Sequence, residues 1–276
     1  MMRSPGPTTR PESPGASPGL RRSRRVARAG APPRQHGRCP APDSSRPLRL
    51  GERCAATHFL DHDAPRVREF VRGALPADAV SPSEKAVALY YAVRDRILYD
   101  VYGADLSREG LRASSIVQRG TGFCVHKSIL YAAAVRSVGI PSRLVLTDVR
   151  NHLASERLKQ LVGGDVFRFH CLTSVHLNGR WIKATPVFNK ALCRLYGIAP
   201  LEFDGVVDSL HHPYDEQGRR HMEFIHNHGE FEDFPYETVV PGLRRASPNL
   251  FRGSRTIADG SLATEAPHAQ PTSSRG

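Results

Sequence analysis

The chain has 276 residues, 39% of them hydrophobic and 24% charged, with 22 Pro and 23 Gly. That length suits one domain of ordinary size with tails or two small domains, and no apolar run approaches the roughly 18–20 residues that span a bilayer. The net charge of +12 is unevenly placed: residues 1–50 carry eleven Arg against Glu12 and Asp43, so the rest of the chain is close to balanced.

Residues 1–50 are rich in Pro, Arg, Gly and Ser and show no periodicity. Such a stretch buries too little apolar surface to offset its ordering entropy, so it reads as a disordered leader. "RRSRRVAR" (21–28) has the composition of a phosphate-contacting tract. "AGAPPRQHGRCP" after it lacks the apolar run of an export signal. The basicity belongs to the leader, so nucleic acid is not an expected partner of the folded part. The five cysteines, Cys39, Cys54, Cys124, Cys171 and Cys193, are odd in number and contain no C-x-x-C pair. Neither a disulfide framework nor a zinc knuckle is indicated, which points to a reducing cytoplasm.

Residues 51–240 read as the folded domain, and 241–276 as a disordered tail. "PRVREFVRGAL" (65–75) predicts a helix. "SPSEKAVALYYAVRDRILY" (81–99) predicts a stronger one, with Ser81 and Glu84 as a capping box and Pro82 at the first helical position. A third helix begins at or just before Cys124 and runs to about Val138, where Gly139 and Pro141 stop it. "SRLVLTDV" (142–149) alternates like a strand, and "SERLKQLV" (155–162) is a short helix. "VFRFHCLTSVHL" (166–177) and "RWIKATP" (180–186) are strands joined by Asn178-Gly179, the strongest short hairpin signal. Helices followed by a helix on a largely antiparallel sheet make an α+β domain.

Two glycines, Gly120 and Gly122, lead into Cys124. A helix N-terminus favours negative charge, and the thiolate is the nucleophilic form of cysteine. Lys127 in the same turn adds a cation. A base for this thiol should be a histidine on a rigid element, and His170 lies inside a predicted strand. With a two-residue loop, Leu177 pairs with Arg180 and His170 lies opposite Val187, while Thr185 and Asn189 project from the same face. A cysteine on a helix start facing a histidine on a strand is the plan of cysteine acyl transfer. Gly122 and Phe123 ahead of the thiol, and Trp181 on the return strand, are the candidate substrate contacts, although Trp181 reads equally as core.

The segments "GTGFCVHKSILYAAAVRSVGIPSRLV" (120–145) and "HCLTSVHLNGRWIKATP" (170–186) resemble the transglutaminase-like superfamily of papain-like cysteine enzymes. The stretch "KATPVFNKALC…PLEFDG…HHPYDEQGRRHMEF" is similar to a bacterial branch of it that reads Thr-Pro here. The resemblance implies a papain-like α+β fold, Cys124 as nucleophile and His170 as base. Thr185 stands where the family usually has Asp. A hydroxyl orients an imidazole but does not stabilise an imidazolium as a carboxylate does, and Asn189 is the other candidate for that role. The implied substrate is a peptide or protein amide, or an ester, with no cofactor. Water as acceptor makes a peptidase or amidase, an amine makes a transamidase, and water is favoured because no amine site is legible. The rival reading is a non-catalytic binding module that keeps the fold.

His126 sits two residues along the cysteine helix and should point away. Cys171 and Cys193 read as packing residues, Lys183 as a solvated charge, and Asp148, Asn151 and His152 as loop residues near the cleft. The segment 202–237, with His211, His212, His221, His226 and His228, has no zinc or calcium spacing. It reads as a polar loop wrapped over the domain, with no metal site.

Overall fold

The computed structural model describes residues 50–152, 154–211 and 221–251. The expectations for the leader up to residue 49, for His212 and for the chain after 251 fall outside those residues.

Helix α1 (Pro65–Ala74) and helix α2 (Pro82–Arg96) come first. The capping box forms: the Ser81 hydroxyl accepts from the Glu84 N–H at 3.2 Å, and the Glu84 carboxylate accepts from the Ser81 N–H at 2.8 Å. The helix stops three residues earlier than its periodicity suggests. Leu98–Tyr99 instead form a short strand, β1, parallel to β2 (Thr121–Gly122), with helix α3 (Ala113–Arg119) between them. Tertiary pairing overrides helical propensity here.

Helix α4 (Cys124–Ser137) is buried on every side from Cys124 to Arg136. A helix that is apolar all round is a central one, and α4 lies between α2 and the sheet. The sheet is built from β3 (Ser142–Asn151), β4 (Val166–Leu177) and β5 (Arg180–Ala184), with helix α5 (Glu156–Val162) between the first two. Helix α6 (Lys190–Tyr196), strand β6 (Met222–Phe231) and helix α7 (Tyr236–Ala246) follow. The strand order is β5-β4-β3-β6, and every pairing is antiparallel. The fold is therefore α+β, with the cysteine helix packed on an antiparallel sheet.

The β4–β5 hairpin has the register that its turn dictates: Leu177 pairs with Arg180 and Thr173 with Ala184. Asn178 and Gly179 both adopt positive φ, 49° and 78°, as a type I′ turn requires.

Two expectations need correction. Residues 222–231 are not loop but the edge strand β6, half of it exposed, whose polar composition hides its pairing with β3. Packed structure also continues beyond residue 240, because α7 buries Val239, Val240 and Leu243 despite Pro241 within it. Gly242 in that helix has a packing reason: a Cβ there would lie 2.5 Å from the Phe169 ring.

Candidate active site

Cys124 is the first residue of α4, as its sequence context suggests. Phe123 before it is extended and no side chain caps the turn, so the first N–H groups stay available. Burial pushes the Cys124 thiol up to about 11, and the backbone N–H groups of Cys171, Val125 and Cys124 itself, which reach the sulfur, only partly offset that. Desolvation of the anion therefore outweighs the helix end, whose contribution reaches about 2 kcal/mol in favourable geometries. His170, on β4, is 5% exposed, and burial takes its imidazole down to about 4. Burial thus favours the neutral thiol at Cys124 and the neutral imidazole at His170.

The contact with Cys171 places the Cys124 sulfur against β4 at the residue following His170. One helical turn further on, α4 is bonded to the same strand. The Ser128 hydroxyl donates to the Cys171 carbonyl at 2.8 Å, and the Thr173 hydroxyl donates to the Ser128 carbonyl at 3.0 Å. These two hydrogen bonds fix how the cysteine helix sits on the histidine strand.

The backbone before His170 is irregular. Thr147 pairs with His170 and Val149 with Phe167, so Arg168 and Phe169 together face Asp148 in a bulge. The β3–β6 ladder slips on either side of the same residue. Phe169 adopts φ 54°, a conformation that a bulky side chain rarely takes. Asp148, 1% exposed, holds this arrangement: its carboxylate accepts from the Phe169 N–H at 3.0 Å, from Arg168 Nη1 at 2.6 Å and from His228 Nε2 at 2.7 Å. Burial alone would raise the Asp148 carboxyl, but the hydrogen bonds from His228, Phe169 and Arg168 keep it below its ordinary value. The Phe169 ring is stacked on His228 at 4.6 Å. Asp148, read from sequence as a loop residue near the cleft, is thus a buried strand residue that anchors the bulge next to His170.

Cys124, Phe123 and His170 open onto one cavity of about 400 Å³. Gly122 has another role. A Cβ there would lie 2.5 Å from His126 Cβ, so the glycine makes room for the first turn of α4. His126 is fully buried and turned from the cavity, with Nε2 donating to the Asp105 carbonyl at 3.0 Å. Trp181 lies outside the cavity, against His176 and under the Arg143 guanidinium, 3.8 Å from the ring centroid.

Lys127 gives the thiol no cation. Its ammonium is buried and donates to the Arg94 and Ile97 carbonyls, closing the end of α2. Burial lowers its pKa to about 7.

Neither candidate for the third role hydrogen bonds to His170 among the described residues. The Asn189 amide oxygen accepts from the Tyr99 N–H at 3.2 Å. Thr185 is fully buried, and its hydroxyl, like His170 Nε2, has no hydrogen-bond partner. Asp148 does not contact His170 either, being committed to the bulge. The neighbour that sequence reasoning missed is His211, whose ring lies 5.1 Å from that of His170. The bridge between Ala184 and Ser209 brings it there, a long-range pairing with no local signal. Among the described residues, no group of three His, Cys, Asp or Glu gathers as metal ligands, and no helix is long and apolar enough to cross a membrane.

Residues 70–186 match the family described as the transglutaminase-like superfamily. Over that stretch the chain is similar to a transglutaminase-like core. The match runs from α1 to the end of β5, so it contains Cys124 and His170 and leaves β6 and α7 outside. A solved candidate cysteine protease from Cytophaga hutchinsonii is similar at 16% identity and a TM-score of 0.39. That similarity covers 53% of this chain, and the chain spans 44% of that protein. No curated protein matches.

Proposed function

We propose that the transglutaminase-like core performs cysteine-dependent acyl transfer on an amide or ester, with Cys124 as nucleophile and His170 as base. The observation that carries this reading is the opening of both side chains onto one cavity, with the helix bonded to the strand one turn away. The pair starts neutral, so His170 takes the thiol proton as the Sγ–carbon bond forms. It returns that proton to the departing amine or alcohol. It then deprotonates the acceptor that releases the acyl group and restores the thiol. The Cys124 N–H at the helix start is the proposed donor to the developing oxyanion. Thr185 and Asn189 remain the candidates for orienting the imidazole, and water is the proposed acceptor.

The test is turnover of activated esters and amides by the wild-type chain and by Cys124→Ala, with circular dichroism on both. Turnover lost in a folded Cys124→Ala supports the reading. Turnover that survives removes Cys124 from the chemistry. If the wild type turns over nothing and Cys124 alkylates no faster than Cys54, the non-catalytic module is the better reading.

A further inference from the structure

The cavity in front of Cys124 is more than an access route. Its apolar walls include Val149 from β3, Phe167 from β4, Leu158 from α5, Leu192 from α6, Leu243 from α7 and Leu250 beyond it. These side chains converge on one recess beside Cys124. At about 400 Å³ it lies near the small end of the range for ligand sites, roughly 300–1,000 Å³.

Among the described residues few lysines, arginines or carboxylates line it, and Asn151, His152, Ser155, His221 and Ser247 add polar groups to the apolar ones. Among the described lysines and arginines, only Arg168 lines it, and that guanidinium is half-exposed and already held by Asp148. Among the described carboxylates, only Glu156 lines it, with its side chain 81% exposed. A carboxylate or ammonium carried deep inside would be desolvated without a counter-charge, which is strongly unfavourable. The histidine at the nucleophile end is held neutral by the same burial.

We infer that this chamber binds the acyl part of the substrate, and that this part is an uncharged apolar group, a medium-length alkyl chain or an aryl ring. The inference rests on the acyl-transfer reading above. Of the reacting groups, the acyl moiety alone takes part in both steps, bonded to Cys124 between them. It is therefore the part for which a largely apolar chamber beside the sulfur is most useful. The amine or alcohol and the incoming water meet the carbonyl from the rim.

Two measurements separate the chamber from the chemistry. Binding of a homologous series from butanamide to octanamide is measured by calorimetry on Cys124→Ala, which cannot turn over. Turnover of the matching p-nitrophenyl esters is measured on the wild-type chain. Affinity should rise about fourfold per added methylene until the chamber is full, the gain expected for burying a CH₂. Leu192→Phe on α6 and Leu158→Phe on α5, checked for folding by thermal melting, should each erase the gain for the longest members. An affinity flat across the series, or unchanged in both filled variants, overturns the inference whatever the turnover shows. A rising series combined with no ester turnover by the wild type keeps the chamber and overturns the acyl-transfer reading.

Discussion

Strand β4 meets two neighbours in different ways. Against β5 it pairs without interruption from Thr173 to Leu177, and the Asn178-Gly179 turn alone sets that register. Against β3 the ladder breaks at Asp148, where Arg168 and Phe169 share one partner and Phe169 is held at positive φ. His170 is the first residue past the break. The regular half needs only local chemistry, while the irregular half needs a buried carboxylate, a ring packed on Gly242 and a bulged neighbour strand. Backbone strain sustained by surrounding structure is typical of functional positions.

The largest effect should come from the base itself. His170→Ala should lower turnover by about 10²–10⁴, the usual contribution of general acid–base catalysis, while the thermal transition stays cooperative. Equal turnover in the variant would mean that the irregular half has no catalytic purpose.

Acid sensitivity should also originate at this end. The folded His170 pKa lies near 4, below the ordinary value of 6.5, so the unfolded chain takes up the proton first. Its contribution to stability is complete above about pH 6.5 and is lost as the pH falls towards 4. The loss is on the order of 3 kcal/mol. Buried His126, also lowered to about 4 by desolvation, adds a loss of the same sign. Melting curves between pH 7 and 4 should show His170→Gln losing less stability than the wild type. An identical loss would place the titrating group elsewhere.

A smaller effect is expected at the bulge. Asp148→Asn keeps the shape but weakens the hold on Phe169 and His228. It should lower kcat by about a hundredfold with KM little changed, the cost of a misplacement near 1 Å. A uniform loss of folded protein, with normal kcat per folded molecule, would make Asp148 structural only.

The smallest effect is expected in the regular half. Gly179→Ala puts a side chain at φ 78° and should destabilise by about 1–2 kcal/mol, read by urea denaturation, with kcat unaltered. A large kcat loss there would blur the contrast between the two edges.

The same contrast explains what was legible in the sequence. The capping box at Ser81, the start of α4 at Cys124 and the hairpin register are written in residues close together in the chain, and each is observed. The bulge is invisible because "VFRFHC" alternates like a regular strand, and only the long-range bonds of Asp148 disturb it. Strand β6 was hidden by its exposed, polar edge character and its own register slips. Helix α7 was hidden by Pro241 and Gly242, which read as breakers until Phe169 is seen packed against the glycine. The position of Cys124 on its helix was readable from its neighbours, but its electrostatics were not, since burial depends on the whole fold.

The central claim is that Cys124 forms the covalent intermediate with help from His170, and trapping the acyl group tests it most directly. The chain is mixed with a p-nitrophenyl ester, quenched in acid within the first turnover and digested for peptide mass spectrometry. The account predicts the acyl mass on the peptide containing Cys124, its absence from Cys124→Ala, and much slower accumulation in His170→Ala. Acyl groups found instead on Cys54 or on lysines, or accumulating equally fast without His170, would contradict it.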